Sequence, residues 1–324
     1  STKYITNINC TFMGNRAKYG AGIYSSGVIK ISLTNCKYVK NKAYKDGGGL
    51  IIRDTKKYVS AVNCIFTRNI ANFKGAGVDM FEVIIIVLIN CKYTQNMGYV
   101  THGGGLKISA SKYAKISAPK YVINVNCTFM GNKAIREGGG AHMVNVDNIV
   151  LTNCKYIQNV AGKHDNLWLG GGLYIKSSKN ITITNCEYMQ NVAHQDGGGL
   201  YMKDLKYVSS INCTFTGNKA VRNGAGVYML DAKNIVLLFC IYIQNVAGQY
   251  KGGGGLYFSK SKNIAVINCK YIQNVAGNQG GGSYISKSKN LINMNCTFSA
   301  NIGKHGGGIY TSEVRNIKSV GCTY

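Results

Sequence analysis

The sequence predicts an all-β chain wound as a single-stranded parallel β-helix, a β-solenoid of about twelve coils of roughly 27 residues. Three observations carry that prediction. A cassette Asn-Cys-x-aromatic-x-x-Asn-x-small returns along the whole chain, a glycine-rich triplet and an aliphatic follow it after a polar loop, and a short β-branched run precedes each cysteine. The repeat is too short for a βαβ unit, which takes roughly 30 residues or more. Recurrent glycine triplets and the lack of a 3.6-residue apolar stripe exclude helical repeats. The usual chirality of parallel crossovers predicts right-handed winding.

Each element of the repeat has its own reason. In the repeat around Cys186, residues 181–188 have the β-branched content and near period-2 pattern of a strand, with the cysteine and the aromatic two later on one inward face. The cysteines are Cys10, Cys36, Cys64, Cys91, Cys127, Cys154, Cys186, Cys213, Cys240, Cys269, Cys296 and Cys322, one per repeat. Stacked coils set equivalent Cβ atoms about 4.8 Å apart, beyond the usual disulfide range, so these are expected to be buried free thiols. Next comes a turn asparagine: Asn15, Asn41, Asn69, Asn96, Asn132, Asn159, Asn191, Asn218, Asn245, Asn274 and Asn301. In register, these would form a ladder of amide hydrogen bonds. Glycines then permit backbone conformations and close approaches that a Cβ would block.

The pieces Phe12-x-x-Asn15, Phe129-x-x-Asn132 and Phe215-x-x-Asn218, each followed by Gly-Gly/Ala-Gly-aliphatic, resemble the FxxN and GGA(I/L/V) repeats of chlamydial polymorphic membrane proteins. They are also similar to adhesin-like surface proteins of methanogenic archaea. The resemblance covers essentially the whole chain, with tyrosine for phenylalanine in seven repeats and glycine where that family often has alanine. It implies a β-helical surface protein, a statement about fold before function.

Composition adds a partner class. Lys and Arg number 38 against 12 Asp and Glu, a net charge of +26. Part of the excess is patterned: seven residues before successive cysteines stand Lys179, Lys206, Lys233, Lys262 and Lys289, a stripe once the coils stack. Such a stripe suits an acidic polysaccharide or a cell envelope, or is a solvated edge; no nucleic-acid-binding motif accompanies it. No apolar run is long enough to span a membrane as a helix. Neither a C-x-x-C pair nor a nucleotide signature appears, so no metal and no cofactor is expected. Asn9, Asn126, Asn180, Asn212 and Asn295 open Asn-x-Thr sequences, candidate glycan acceptors in a secreted chain, although the recurrence of asparagine regardless of threonine points first to a structural role.

Residues 1–324 read as one continuous solenoid, with insertions near 109–120 and 162–169, the second holding Trp168. Both ends fall inside a repeat, which suggests a fragment or a repeating unit that continues head to tail. Past the glycines a tyrosine recurs at Tyr24, then at Tyr174, Tyr201, Tyr228, Tyr257, Tyr284 and Tyr310; an outward ladder of these rings could bind sugar or a second filament. The variable loop before the glycines gathers His102, Glu137, His164, Asp165, His194 and Asp196, and Glu137, Asp165 and Asp196 could approach one another across coils. Acidic residues are scarce and none sits in a catalytic motif. The sequence therefore predicts a non-catalytic, extracellular or cell-surface rod of the adhesin or fibre kind. The alternative is a polysaccharide-binding or polysaccharide-degrading β-helix that uses Glu137, His164, Asp165, His194 and Asp196.

Overall fold

The structure is a computed structural model that describes residues 3–99, 102–111, 119–162, 169–248, 250 and 252–324. It is a parallel β-helix. One coil shows the plan: Asn180–Thr184, Glu187–Met189, Val192–Ala193 and Leu200–Leu205 are four strands joined by corners. Each strand pairs in parallel with its equivalent in the next coil, so Ile181 lies on Val208, Tyr188 on Phe215, Ala193 on Ala220 and Tyr201 on Tyr228. The strand carrying the aromatic forms an 11-stranded sheet and the short strand after the asparagine a 10-stranded sheet. The remaining two faces merge into one 22-stranded sheet, because Val227–Leu238 runs through the corner between them without a break. The rod makes about eleven turns, and the cassette at Cys322 contributes only a bridge from Thr323 to Thr297. Coils are numbered below by their cysteines.

The strand expected over 181–188 is two strands. Asn185 breaks it with a φ of 51°, and the asparagines before the other cysteines, such as Asn9, Asn126, Asn212 and Asn295, take the same left-handed turn. Asparagine tolerates that region better than most residues, which explains its recurrence at this corner. The exposed amides also link coil to coil: Asn126 Nδ2 donates to Asn90 Oδ1 at 3.2 Å and Asn212 Nδ2 to Asn185 Oδ1 at 2.9 Å. Asn180 belongs to a parallel outer row and donates to Asn148 Oδ1 at 2.8 Å.

Inside, the cysteines form one column of free thiols, buried from Cys36 to Cys296 and half-buried at Cys10 and Cys322. Each thiol is anchored as a weak donor; Cys91 Sγ reaches Ala61 O at 3.3 Å in the neighbouring coil. Beside them the interior aromatics stack from Phe12 to Tyr324, with Tyr271 and Phe298 centred 4.5 Å apart. The asparagine ladder is fully used. Asn191 donates from Nδ2 to Asn218 Oδ1 (3.0 Å) and to Tyr156 O (2.8 Å), while its Oδ1 accepts from the backbone and side-chain nitrogens of Asn159. A buried amide with every group paired stabilises the turn instead of penalising it. The glycines pack against this ladder: a Cβ on Gly140 would stand 2.5 Å from Gly172 O and 3.1 Å from the Asn159 amide. Among the described residues no helix is long and apolar enough to cross a membrane.

The two insertions leave the register intact. Lys107 pairs with His142 across the first, and His142 with Tyr174 across the second. Most of both insertions, with His164, Asp165 and Trp168, lies outside the described residues.

Candidate functional site on the face after the glycines

The strand after the glycines carries the chemistry. Its alternation turns Leu200 and Met202 to the core and Tyr201 to the opposite side. In register, that outward position runs Tyr24, Ile51, Asp79, Lys107, His142, Tyr174, Tyr201, Tyr228, Tyr257, Tyr284, Tyr310. The tyrosines stack with centroids 4.6–5.4 Å apart. They are not the open platform the alternation suggests. Tyr201 is only 4% exposed, and Tyr174, Tyr228, Tyr257 and Tyr284 are buried with it in a second apolar cluster outside the main core. Leu169 and Leu230 pack against that cluster. Burial raises the tyrosine hydroxyls, Tyr257 to about 12.

Coils three to five replace the tyrosines with Asp79, Lys107 and His142, also buried. Lys107 Nζ donates to Asp79 Oδ1 at 3.2 Å and to Ser109 Oγ at 2.6 Å. From the coil below, Arg53 Nη2 lies 3.7 Å from Asp79 Oδ2 and donates to Asp46 Oδ2 at 3.0 Å. Asp46 is raised by burial and then by the charge of Asp79. His142 stacks flat on Tyr174, centroids 4.8 Å apart, and burial pushes its imidazolium well below the usual range, so it is neutral.

The loop column just before the glycines runs alongside. His102 and Glu137 meet there in adjacent coils, with His102 Nδ1 against Glu137 Oε2, and His142 Nε2 lies 3.8 Å from the same oxygen. Asp196 stands further along, bound instead to Asn223, whose backbone N and Nδ2 donate to its Oδ1 at 3.1 and 2.9 Å. The expected approach of Glu137 to Asp196 is therefore not what the coils produce; Leu169 occupies the coil between them, since Gly138 N bonds Leu169 O and Gly170 N bonds Asp196 O. His194 lies under Gly162.

Asp196 lines a hollow of about 350 Å³ with Tyr201, Arg222, Tyr228, Tyr250 and Tyr257. The guanidinium of Arg222 sits 4.5 Å from the centre of the Tyr250 ring. Burial raises the Asp196 carboxyl to about 6 despite the two donors from Asn223. At the far end of the same strand, Lys179, Lys206 and Lys233 border a second concavity of about 630 Å³ together with Asp204 and Asp231. The basic stripe is in register: Lys233, Lys262, Lys289 and Arg315 are consecutive partners. Beyond that corner, a shallow groove of about 640 Å³ crosses the strands that precede the cysteines, with Tyr207, Val236 and Ile292 exposed along it.

No protein-family model and no curated protein sequence matches the chain. Solved structures do share its fold. The A-module of the Azotobacter vinelandii mannuronan C-5 epimerase AlgE6 is 13% identical, with a TM-score of 0.50 over 100% of this chain and 91% of that one. A double mutant of the periplasmic alginate epimerase AlgG is 11% identical, with a TM-score of 0.44 over 90% of this chain and 77% of that one. The enzymatically active domain of tailspike protein 2 from bacteriophage CBA120 is 13% identical, with a TM-score of 0.46 over 90% of this chain; this chain spans 41% of that domain. At such identities the likeness establishes the parallel β-helix. It also corrects two expectations drawn from the sequence, that the chain is a non-catalytic structural rod and that it is not an enzyme. The A-module matched over the whole of this chain is itself named as an epimerase, so the fold does not mark a structural rod.

Proposed function

We propose that this chain binds an acidic polysaccharide on the outside of the rod and acts on it at the hollow around Asp196. The observation that carries the reading is Asp196 itself: a carboxyl raised to about 6, set among four tyrosines and an arginine in a hollow of about 350 Å³. A carboxyl titrating near neutrality can give and take a proton in the working pH range. Tyrosine edges and an arginine suit sugar rings and their acidic substituents. The lysine stripe supplies the long-range attraction for a polyanion, and its spacing of about 4.8 Å per coil is close to the length of one sugar residue in a polymer laid along the rod. The polysaccharide substrates named for the structural neighbours agree with this class. A polymer substrate places the chain outside the cytoplasm, in the periplasm or beyond the cell.

The test separates binding from action. The chain is passed over immobilised uronate polymers such as alginate and incubated with the soluble polymers, with new reducing ends, unsaturated ends and sugar configuration followed by NMR. Asp196→Asn should abolish turnover and leave retention unchanged. The triple change Lys206→Glu, Lys233→Glu, Lys262→Glu should weaken retention at low salt. No retention of any acidic polymer by the unaltered chain, or turnover that survives Asp196→Asn, would overturn the proposal.

A further inference from the structure

His102, Glu137 and His142 come from 102 and 137, which adjoin the glycines of coils four and five, and from the strand Ala141–Val144. Their nearest ligand atoms all lie within 4.8 Å of one another. His102 Nδ1 and His142 Nε2 converge on one oxygen, Glu137 Oε2. The two rings are centred 5.0 Å apart and tilted by 48°, so they present nitrogens from different directions. His142 is more than nine-tenths buried and turns its Nε2 toward that oxygen. His102 and Glu137 are about a quarter exposed, which leaves a route from solvent to the point where the three meet.

From this arrangement we infer that His102, Glu137 and His142 form a binding site for a divalent first-row metal ion of the zinc class. Two imidazoles and one carboxylate are a donor set for such ions, whereas calcium and magnesium prefer all-oxygen shells. Three protein ligands and a solvent-facing side give zinc an open fourth position. The stack of His142 on Tyr174 holds one ligand ring in place before any ion arrives. Lys107 is the nearest buried cation, and it is neutralised by Asp79 and bound to Ser109, so it does not bar a second cation. The site is independent of the glycan reading, since Asp196 belongs to the separate hollow.

The experiment uses the whole chain, stripped with a chelator and with its accessible thiols alkylated, because Cys10 and Cys322 are half-buried and would otherwise compete. Zinc is titrated by calorimetry, and cobalt is titrated in parallel for its visible ligand-field bands. One equivalent should bind, with cobalt bands typical of a nitrogen and oxygen shell. His102→Ala and Glu137→Gln should each weaken binding by more than about 100-fold, beyond the 10–100-fold cost of losing an outer partner. His142→Phe keeps the stack on Tyr174 and so keeps the fold, which circular dichroism checks, and should have the same effect. Absence of a stoichiometric site, or binding unchanged in His102→Ala and His142→Phe, would show that His102 and Glu137 are an ion pair and nothing more.

Discussion

Two residues past the glycines, coils six to eleven carry tyrosine, while coils three to five carry Asp79, Lys107 and His142. The backbone at these positions is the same, and so is the depth: Asp79 is 1% exposed and Lys107 6%. The energetics differ. Each stacked tyrosine pair adds on the order of 0.5–1.5 kcal/mol beyond the area it buries. Each ion of the charged segment loses solvation worth several kcal/mol, which only close partners recover. Asp79 has those partners in Lys107 and Arg53, on the coils to either side. The column teaches that this scaffold accepts a costly segment without changing register, and such a segment is where a β-helix departs from a repeating rod.

The largest expected effect comes from breaking the charged segment at its centre. Asp79→Ala leaves the Lys107 ammonium buried with only Ser109, and removes one of the two carboxylates beside Arg53. Loss of one partner from a buried pair costs about 3–5 kcal/mol. Urea unfolding should show that loss, whereas a cost below about 1 kcal/mol would mean that water reaches Lys107 and the segment is not dry.

A smaller effect, on the order of 3 kcal/mol, is expected from Asp196 and depends on pH. Its carboxyl is raised from the ordinary 3.8 to about 6, mainly by burial. A group whose pKa is higher in the fold holds its proton more tightly there. Folding is therefore favoured while Asp196 is protonated, and stability falls as pH rises from about 4 to about 6, then levels off. Asp196→Asn removes that decline and should be the more stable chain above pH 6. Parallel pH profiles for the two proteins would mean that the Asp196 carboxyl is solvated.

How much of this was legible in the sequence follows from what each feature needs. The cysteine column, the interior aromatics and the ladder from Asn15 to Asn301 need only a local motif and its repetition, and the structure has them. The corner at Asn185 was missed because period-2 alternation does not register a single left-handed residue inside an otherwise β-branched run. The burial of the tyrosines was missed for another reason: alternation says which residues leave the core, and not that Leu169, Leu230 and the neighbouring rings will cover them. The charged segment needs register across repeats of unequal length, since Lys107 and His142 are separated by an insertion and yet are direct partners. The signal was present as the interval between Tyr24 and Tyr174, where counting two residues past each glycine triplet gives Ile51, Asp79, Lys107 and His142. His102 and Glu137 are legible as neighbours, since each stands just before its glycine triplet; what the motif does not show is that His142, on the strand beyond the glycines, reaches the same carboxylate oxygen.

The smallest expected effect is also the most direct comparison of the two halves. Replacing Asp79, Lys107 and His142 together by tyrosine would extend the ladder from Ile51 to Tyr310 without a charge in the column. Arg53 keeps Asp46 at 3.0 Å and Glu137 keeps His102, so no ion is abandoned. The backbone spacing already holds tyrosine rings at 4.6–5.4 Å elsewhere, which is the room a new ring requires. Replacing buried ion pairs by packed apolar groups is often neutral or stabilising by 1–4 kcal/mol, and here the gain should lie near the lower end, at about 1–2 kcal/mol, because three bulky rings must settle against Ser109 and Val144. A more stable triple variant would mean that the charged segment is kept at a cost to folding, as a functional site is. A variant less stable by several kcal/mol would instead make the ion pairs a structural fastening, and the contrast between the halves would then be one of packing and not of function.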